Sequence, residues 1–197
     1  MFVELLRARL AGICEVSDEQ AEKLRAHYEL LCRWNKVINL TAVRRLEEAV
    51  ERHYCESIFL ARYLPEGRFT VADAGSGAGF PGIPVAVQRP ELGVTLIESH
   101  QRKAAFLREA SRGLGNVRVL ARRAEDLADQ FDWVISRAVT FADIAVVLKR
   151  LGRRVALLTG AVEPSGLPGF EWEEPVRLPW GEQRWLWMSV PRETQTS

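Results

Sequence analysis

A glycine-rich turn between two apolar runs constrains the fold of this chain more than any other feature. Residues 69–87 read FTVADAGSGAGFPGIPVAV: an apolar run ends at Asp73, four glycines follow by residue 82, and a second apolar run begins at Ile83. A buried strand that passes through a tight turn into a helix produces this pattern, and glycines let the backbone approach a ligand closely. The stretch therefore predicts a ligand site at the carboxyl end of a strand.

From about residue 65 onward, short apolar runs alternate with segments of helical periodicity. The strand-like runs are FTVAD, GVTLIES, VRVLA, FDWVIS and RVALLT, and helices are predicted from about Ile83, over 102–114 and over 141–149. This alternation is typical of a parallel sheet with helices on both faces. Two further runs, EWEEPVRLP and RWLWMSVP, flank a Pro-Trp-Gly turn and predict a final antiparallel hairpin. We therefore expect an α/β, Rossmann-like mixed sheet.

The segment before residue 65 predicts helices. Ser17 and Gln20 have the spacing of a capping box, and apolar residues then recur at helical spacing as far as Trp34. A further helix is expected over about 46–63. We therefore divide the chain into a helical extension (1–64), a ligand-binding α/β domain (65–191) and a flexible tail (192–197).

Composition excludes several classes of protein. Hydrophobic residues make up 47% of the 197 residues and charged residues 27%, which is typical of a globular chain and not of a disordered one. Because no apolar run reaches the roughly 18 residues of a membrane span and no signal-peptide layout is present, we expect a cytoplasmic protein without a membrane partner. Three cysteines without a C-x-x-C pair indicate reduced thiols. A net charge of +1 neither requires nor excludes nucleic acid.

The order of the glycines distinguishes between nucleotide cofactors. Residues 77–82 satisfy G-x-G-x-x-G but lie too far beyond the strand for a dinucleotide fingerprint. The pattern directly after the strand resembles the first motif of class I S-adenosylmethionine (SAM)-dependent methyltransferases: Asp73, Gly75, Gly77 and Gly79. In that fold the acid lies near the cofactor ammonium. Glu98, which ends the next strand-like run, is placed to accept from a ribose diol, which SAM and NAD share.

Three further features favour SAM over NAD. Pro81 and Pro84 remove backbone N–H groups that a pyrophosphate would need at the helix start. The third strand-like run ends in ARRAEDL, which places Ala124 and Glu125 where methyltransferases hold adenine. The chain also leaves little room for a separate substrate domain. We therefore predict a class I SAM-dependent methyltransferase domain; the structural alternative is a glycine turn that only packs tightly.

Five segments together resemble the RsmG (GidB) family of bacterial methyltransferases: WNKVINLTAV (34–43), RHYCESI (52–58), DAGSGAGFPGIPVAVQRPE (73–91), TLIESHQRKAAFLRE (95–109) and FDWVISRAV (131–139). The resemblance implies methylation of N7 of a guanosine in 16S ribosomal RNA. It also implies SAM contacts at Gly75, at Phe80, at the backbone of Ala124 and Glu125, and at Arg137. The chain departs from the family at Thr159-Gly160, where a Lys-Gly is usual, and over 161–170, which is short for the usual helix.

Arg137 is the candidate catalytic residue. It ends the run FDWVIS, in a motif (ISRA) unlike the Asn/Asp-Pro-Pro-aromatic sequence that handles exocyclic amino groups. Guanine N7 already presents a lone pair, so catalysis requires positioning rather than a base, and a cation near the guanine or the cofactor carboxylate assists. The structural alternative is a surface arginine that pairs with an acid.

Candidate RNA contacts are more dispersed. Asn39, Arg52 and His53 are the candidate substrate residues. Asn35, Asn39 and Thr41 either touch RNA or cap helices, and Arg52 and His53 either face the substrate or lie on a solvated helix face. Basic pairs would contact phosphates if they share a face: Arg44-Arg45, Arg102-Lys103, Arg122-Arg123, Lys149-Arg150 and Arg153-Arg154. Three tryptophans near the carboxyl end are predicted to belong to the core: Trp180, Trp185 and Trp187.

These observations predict a SAM-dependent rRNA (guanine-N7) methyltransferase, a monomer without a metal, whose partner is 16S rRNA or the small ribosomal subunit. Two alternatives stay open. A small-molecule methyltransferase would show a short basic surface and a closed lid. A non-catalytic SAM-binding ribosome-assembly factor would be consistent with the threonine at position 159.

Overall fold

A mixed sheet forms the centre of the molecule. The computed structural model describes residues 1–137, 141–164 and 169–191, with the side chains of 141–144 excepted. The predicted tail (192–197) and the end of the fifth family-like segment (138–139) lie outside the described residues. The strands are β1 (Thr70–Ala74), β2 (Gly93–Ile97), β3 (Val117–Leu120), β4 (Phe131–Arg137), β5 (Gly152–Thr159), β6 (Val176–Arg177) and β7 (Trp185–Met188).

The strand order is β3-β2-β1-β4-β5-β7-β6. Strands β1 to β5 pair in parallel, and β7 pairs antiparallel with both β5 and β6, which confirms the predicted closing hairpin. From β1 the chain proceeds outward to β2 and β3, and from β4 it proceeds the other way to β5. The strand order therefore reverses between β1 and β4, and ligands bind in the crevice outside such a reversal point.

The helices are α1 (Phe2–Leu10), α2 (Asp18–Trp34), α3 (Leu46–Ala49), α4 (Glu56–Tyr63), α5 (Gly82–Gln88), α6 (Gln101–Ala110) and α7 (Phe141–Leu151). The predicted capping box is present at the start of α2: the Ser17 hydroxyl accepts from the Gln20 backbone N–H at 3.2 Å, and the Gln20 side chain accepts from the Ser17 N–H at 2.9 Å. Two backbone donors that a helix start leaves unpaired are thereby satisfied.

The helix predicted over 46–63 contains a feature that the sequence pattern does not show. Residues Val50–Cys55 form a π-helical turn between α3 and α4. The Glu56 backbone N–H bonds to the Glu51 carbonyl, five residues back, where an α-helix would use the carbonyl of Arg52. The helix predicted over about 46–63 is confirmed in its extent. Its π-helical turn has no signal in the sequence, because residues 53–61 are all buried and leave no apolar stripe in which a shift by one residue would be visible.

Alternate residues of the strands point to opposite faces of the sheet, as the pleat requires. Val71 joins the hydrophobic core on the face covered by the helical extension, α5 and α6, whereas Ala72 and Ala74 join the core on the other face, against α7. Trp187 is buried in the second core and Trp185 packs against it, as predicted; Trp180 packs against the first core.

No helix in the described ranges is long and apolar enough to cross a membrane. The described cysteines are free thiols, as predicted: Cys14, Cys32 and Cys55.

Candidate cofactor and catalytic site

The glycine-rich loop after β1 has the backbone conformation that its glycines make possible. Gly75, Gly77 and Gly79 have φ angles of 74°, 55° and 88°, in a region that residues with side chains rarely occupy. Among the described residues, a Cβ at Gly77 would meet nothing nearer than the Gly75 carbonyl oxygen at 3.8 Å. Open space beside Gly77 is the arrangement expected of a loop that faces a ligand, and it argues against the alternative of tight packing at this position.

Glu98 connects the end of β2 to the glycine loop. Its Oε2 accepts from the Gly77 backbone N–H at 2.9 Å, and its Oε1 accepts from the His100 N–H at 2.8 Å. The side chain is 8% exposed, so it is largely buried but not sealed from solvent. Each carboxylate oxygen has a further lone pair. Glu98 can therefore hold the loop and still accept from the ribose hydroxyls of SAM.

Asp73 lies beneath the loop. Its side chain is fully buried, and Oδ2 accepts from the Gly82 backbone N–H at 2.9 Å, whereas Oδ1 has no hydrogen-bond partner among the described residues. Burial raises the pKa of this carboxyl to about 7. A Cβ at Gly82 would lie 2.6 Å from Oδ2, which explains the glycine there. The geometry assigns Asp73 to holding the loop, and its contact with the cofactor ammonium stays a prediction.

Phe80 has its ring on the side of the loop that faces the helical extension. The ring is 4% exposed, stacks on His53 at 4.6 Å between centroids, and meets His27 at 5.1 Å and Tyr54 at 5.0 Å edge-on. Because the ring is enclosed by these side chains, a cofactor contact at Phe80 would come from its backbone.

Arg137 ends β4, next to the reversal point of the sheet. Its Nη1 donates to the Arg52 carbonyl at 2.6 Å, and its guanidinium carbon lies 5.5 Å from the centroid of the Phe80 ring. Burial lowers the pKa of Arg137 to about 10, and the negative charge of Glu56 opposes this shift. The side chain is therefore a cation at neutral pH and is held in place by the helical extension.

Ala124 and Glu125 lie in a short 3₁₀-helix after β3 (Ala124–Asp126), where Ala124 is half-buried and Glu125 exposed. Arg150, near the end of α7, donates from Nη2 to the Ala124 carbonyl at 2.7 Å. This contact fixes the segment predicted to hold adenine. The sequence treats Arg150 as one of a surface basic pair, because no local pattern links α7 to this loop.

Comparison with known proteins agrees with this geometry. The model of the family described as "rRNA small subunit methyltransferase G" (GidB) matches residues 20–161. The chain is 44% identical over 146 residues to the ribosomal RNA small subunit methyltransferase G of Neisseria gonorrhoeae, covering 72% of this chain and 69% of that protein. It is 42% identical over 178 residues to the protein of that name from Xanthomonas axonopodis pv. citri, covering 78% and 83%.

The chain belongs to the GidB family. Among solved structures, a SAM-dependent methyltransferase from Aquifex aeolicus superposes with a TM-score of 0.56 at 18% identity, covering 72% of this chain and 92% of that one. The fold is that of a class I methyltransferase, as predicted, and the protein is a SAM-dependent methyltransferase. When bound, SAM supplies the methyl group.

The candidate substrate residues of this GidB protein do not all lie together. Arg52 is exposed at the cleft and pairs with Glu48 at 3.1 Å. His53 is 4% exposed beneath it, with Nε2 2.8 Å from the Thr41 hydroxyl oxygen, and burial together with the charge of Arg137 lowers its pKa to about 3. Asn39 is exposed on the loop that precedes Thr41. Because it is buried, the His53 side chain cannot contact RNA directly in this conformation.

Asn35 and Thr41 have structural roles in the loop after α2. The Asn35 Oδ1 accepts from the backbone N–H groups of Leu40 and Thr41 at 2.9 and 3.1 Å, and its Nδ2 donates to the Thr41 carbonyl at 3.0 Å. The Thr41 hydroxyl accepts from the Val43 N–H at 3.1 Å. These side-chain bonds hold the loop between α2 and α3 and cap neither helix, so they give both residues a structural role other than the predicted capping.

An open depression of about 650 Å³ lies beyond Arg52, beside the end of β5. Its lining includes Arg52, Gly160, Trp180 and Arg184. The Thr159 side chain, where the resemblance leads one to expect lysine, is 5% exposed. The depression brings arginines and an aromatic ring to the edge of the sheet at which Arg137 ends.

One of the five basic pairs lies away from the glycine loop. Arg153 and Arg154 begin β5 at the edge opposite the glycine loop, where Arg153 lies 3.9 Å from Asp132, and Arg154 pairs with Glu173 and covers the Trp133 ring at 4.2 Å. The structure therefore removes this pair from the candidate RNA surface. In the described part of the chain, no group of three or more His, Cys, Asp or Glu side chains could hold a metal ion.

Proposed function

We propose that this chain transfers the methyl group of SAM to N7 of a guanosine in 16S ribosomal RNA. The observation that carries the proposal is Arg137, a cation held over the Phe80 ring at the carboxyl end of β4, in a chain of the GidB family. The relatives named above are described as methyltransferases of small-subunit ribosomal RNA, which supplies the class of substrate.

The chemistry of guanine N7 fits the groups near Arg137. This nitrogen attacks with its own lone pair, so the site needs no general base. His53 has a pKa of about 3 and is buried, and Asp73 lies below the loop, so neither is placed to remove a proton from a substrate. A positioned cation and a bound methyl donor are sufficient for such a transfer.

We propose the cofactor residues as follows. Gly75 and Gly77, with the backbone of Gly79, form the surface against SAM, Glu98 accepts from the ribose, and Arg137 contacts the cofactor as well as the guanine. The backbone of Phe80 and of Ala124–Glu125 provides further contacts, and Asp73 supports the loop. Among the candidate substrate residues, Arg52 and Asn39 are exposed enough to touch RNA directly, while His53 acts through Phe80 and Arg137.

The remaining assignments extend this proposal to the whole chain. Residues 1–64 form a helical extension and 65–191 the SAM-binding methyltransferase domain. The protein acts in the cytoplasm as a monomer on 16S rRNA or on the small ribosomal subunit, without a metal or a membrane partner.

One observation favours a second candidate function. Thr159 replaces the lysine that the resemblance implies, which removes a cation from the edge where the guanine would lie. A SAM-binding ribosome-assembly factor without catalytic activity would be consistent with that loss. A small-molecule methyltransferase is expected to have a closed lid. The depression beside Arg52 is open, which argues against this alternative.

Methyl transfer from labelled SAM to RNA tests the proposal. Naked 16S rRNA and isolated 30S particles are assayed side by side, mass spectrometry locates the modified base, and calorimetry measures the binding of S-adenosylhomocysteine and NAD. We expect a 7-methylguanosine in one RNA substrate and no affinity for NAD. Tight S-adenosylhomocysteine binding without transfer to either RNA substrate would indicate the non-catalytic factor, and NAD binding in place of SAM would reject the cofactor site.

A further inference from the structure

The glycine loop (75–82) is held by side chains from two different parts of the chain. The sheet supplies Asp73 and Glu98, which accept backbone N–H groups of the loop. The helical extension supplies His27, in the middle of α2, whose Nε2 lies 3.0 Å from the Ala78 carbonyl oxygen, 51 residues further along the chain. The extension is therefore in direct contact with the loop that forms the proposed cofactor site.

The partners of His27 determine which of its nitrogens carries the proton. A carbonyl oxygen can only accept, so Nε2 must donate to Ala78, and Nδ1 is left with a lone pair. The Tyr54 hydroxyl lies 3.0 Å from Nδ1 and donates to it. Both nitrogens are thereby satisfied in a ring that is 3% exposed. Burial lowers the pKa of His27 to about 4, so the ring is neutral at physiological pH.

The loop comes so close to α2 and α5 at position 79 that a residue with a side chain would not fit there. Gly79 has a φ of +88°, and a Cβ on it would lie 2.5 Å from the Ile83 Cδ1 and 3.3 Å from the His27 Nε2. The His27 ring is fixed in turn by edge-on contact with Phe80 at 5.1 Å and with Tyr54 at 5.7 Å. The fixed His27 ring can therefore donate to the Ala78 carbonyl, because the glycine at position 79 lets the loop backbone come this close to it.

We propose that His27 is a positioning residue for SAM, which sets the conformation of the glycine loop by holding the Ala78 carbonyl toward α2, while Tyr54 fixes the required tautomer. On the loop's other side, a Cβ at Gly77 would have no described atom closer than the Gly75 carbonyl oxygen at 3.8 Å. The hydrogen bond from His27 to Ala78 on one side of the loop therefore sets the backbone conformation of the side that would contact SAM. The inference rests on the proposed cofactor site and gives the helical extension a part in it.

A double variant separates this role from simple core packing. His27→Phe alone leaves the Tyr54 hydroxyl buried without an acceptor, which lowers stability for a reason unrelated to the loop. His27→Phe with Tyr54→Phe removes that unpaired hydroxyl and keeps two aromatic rings in place, so the Ala78 carbonyl is the group that loses its partner. Tyr28→Phe is the matched control, because Tyr28 belongs to the same aromatic cluster and its ring contacts among the described residues are with Phe2 at 5.1 Å and Tyr54 at 6.3 Å.

Calorimetry with S-adenosylhomocysteine is the first measurement. We expect the double variant to raise the Kd about tenfold, the effect of losing roughly one hydrogen bond, and Tyr28→Phe to leave it unchanged. His27→Gln should recover part of the affinity, since its amide can still donate to Ala78. In the methylation assay the KM for SAM should rise by the same factor, while kcat at saturating SAM should stay within about twofold of the wild type.

Two results would overturn the inference. One is a folded double variant, by circular dichroism and thermal melting, that binds S-adenosylhomocysteine as tightly as the wild type. The other is a fall in kcat with an unchanged KM for SAM. If the double variant does not fold, His27→Gln and His27→Met decide instead, because the two side chains are similar in size and only glutamine can donate to the Ala78 carbonyl. Equal Kd values in these two variants would reject the inference, and a Kd at least about threefold higher in His27→Met would support it. The Kd for S-adenosylhomocysteine is measured without RNA. This test of His27 therefore remains valid even if the protein does not methylate 16S rRNA.

Discussion

Arg137 shows how a single side chain acquires a fixed direction at the edge of the sheet. A guanidinium has several N–H donors in one plane, so it can donate to the Arg52 carbonyl with one nitrogen and present others to the cleft. The Phe80 ring supports it from one side at 5.5 Å. An ammonium group has no plane to lay against a ring and no second nitrogen to offer.

Replacement of Arg137 should therefore affect catalysis more than folding. Arg137→Ala is expected to reduce methyl transfer on the order of 100-fold, the usual effect of losing one preorganised electrostatic contact, and Arg137→Lys should restore part of the rate. The measurement is transfer of labelled methyl from SAM to ribosomal RNA at saturating SAM. Transfer near the wild-type rate in the alanine variant would show that Arg137 is a bystander.

The buried carboxyl group of Asp73 predicts how the stability of the protein depends on pH. Its folded-state pKa of about 7 is above the ordinary value near 4, so between these pH values the unfolded chain releases this proton and the folded protein retains it. The folded protein therefore loses stability as the pH rises from about 4 to about 7, by up to about 1.4 kcal/mol per pH unit from this group.

Asp73→Asn removes that titration and keeps an oxygen that can accept from the Gly82 N–H. Urea unfolding at intervals between pH 4.5 and 8.5 should show the variant gaining stability relative to the wild type as the pH approaches 7, with a constant difference above it. A difference that does not change with pH over this range would mean that Asp73 is ionised in the folded protein throughout.

At the scale of elements, the π-helical turn (Val50–Cys55) determines where Arg137 is anchored. Because the Glu56 N–H bonds to the Glu51 carbonyl, the Arg52 carbonyl is not its partner and accepts from Arg137. Extra residues of this kind in helices are frequent at functional sites. We infer that the turn has a function here and is more than an irregularity of the helix.

Deletion of Glu51 should convert the turn to a regular α-helix, in which the Arg52 carbonyl takes the Glu56 N–H and is directed along the helix axis. This change of direction, and not the loss of a lone pair, should break its bond to Arg137. We expect methyl transfer to fall at least about tenfold, because small displacements of a positioning group are costly. Glu51→Ala is the matched control: it removes the same side chain and its ion pair with Arg9 at 2.8 Å but keeps the extra residue, so it should retain activity. Equal activity in the two variants would contradict this function of the turn.

The elements that could be predicted from sequence are those encoded over a few neighbouring residues. The capping box at Ser17, the glycine loop and the acid after β2 are local patterns, and the structure contains all three. The π turn could not be predicted, since residues 53–61 are all buried and their apolar pattern has no single stripe that would reveal an inserted residue. His27 and Arg150 were missed because their partners, Ala78 and Ala124, are distant in the chain and are backbone carbonyls, which have no sequence signature.

At the scale of the whole molecule, one buried ion pair joins the helical extension to the closing hairpin. Glu56 in α4 is fully buried, and its two oxygens accept from Nε and Nη2 of Arg184 at 2.8 and 2.6 Å, 128 residues away in the chain. Arg137 stands close enough to feel both charges. The pair therefore connects α4 of the helical extension to the closing hairpin, close to Arg137.

Breaking this pair should destabilise the entire molecule. Glu56→Gln leaves the Arg184 guanidinium, which is 24% exposed, without its carboxylate, and removal of one partner from a buried pair commonly costs about 3 kcal/mol in the free energy of unfolding. Arg184→Gln added to Glu56→Gln should recover part of this loss, because no charge is then left unpaired. The exposed pair Lys23–Glu19 is the control, and Glu19→Gln should change the urea midpoint little. If Glu56→Gln unfolds at the same urea concentration as the wild type, the pair does not hold the extension to the hairpin, and the direction of Arg137 must be set by the π turn and Phe80 alone.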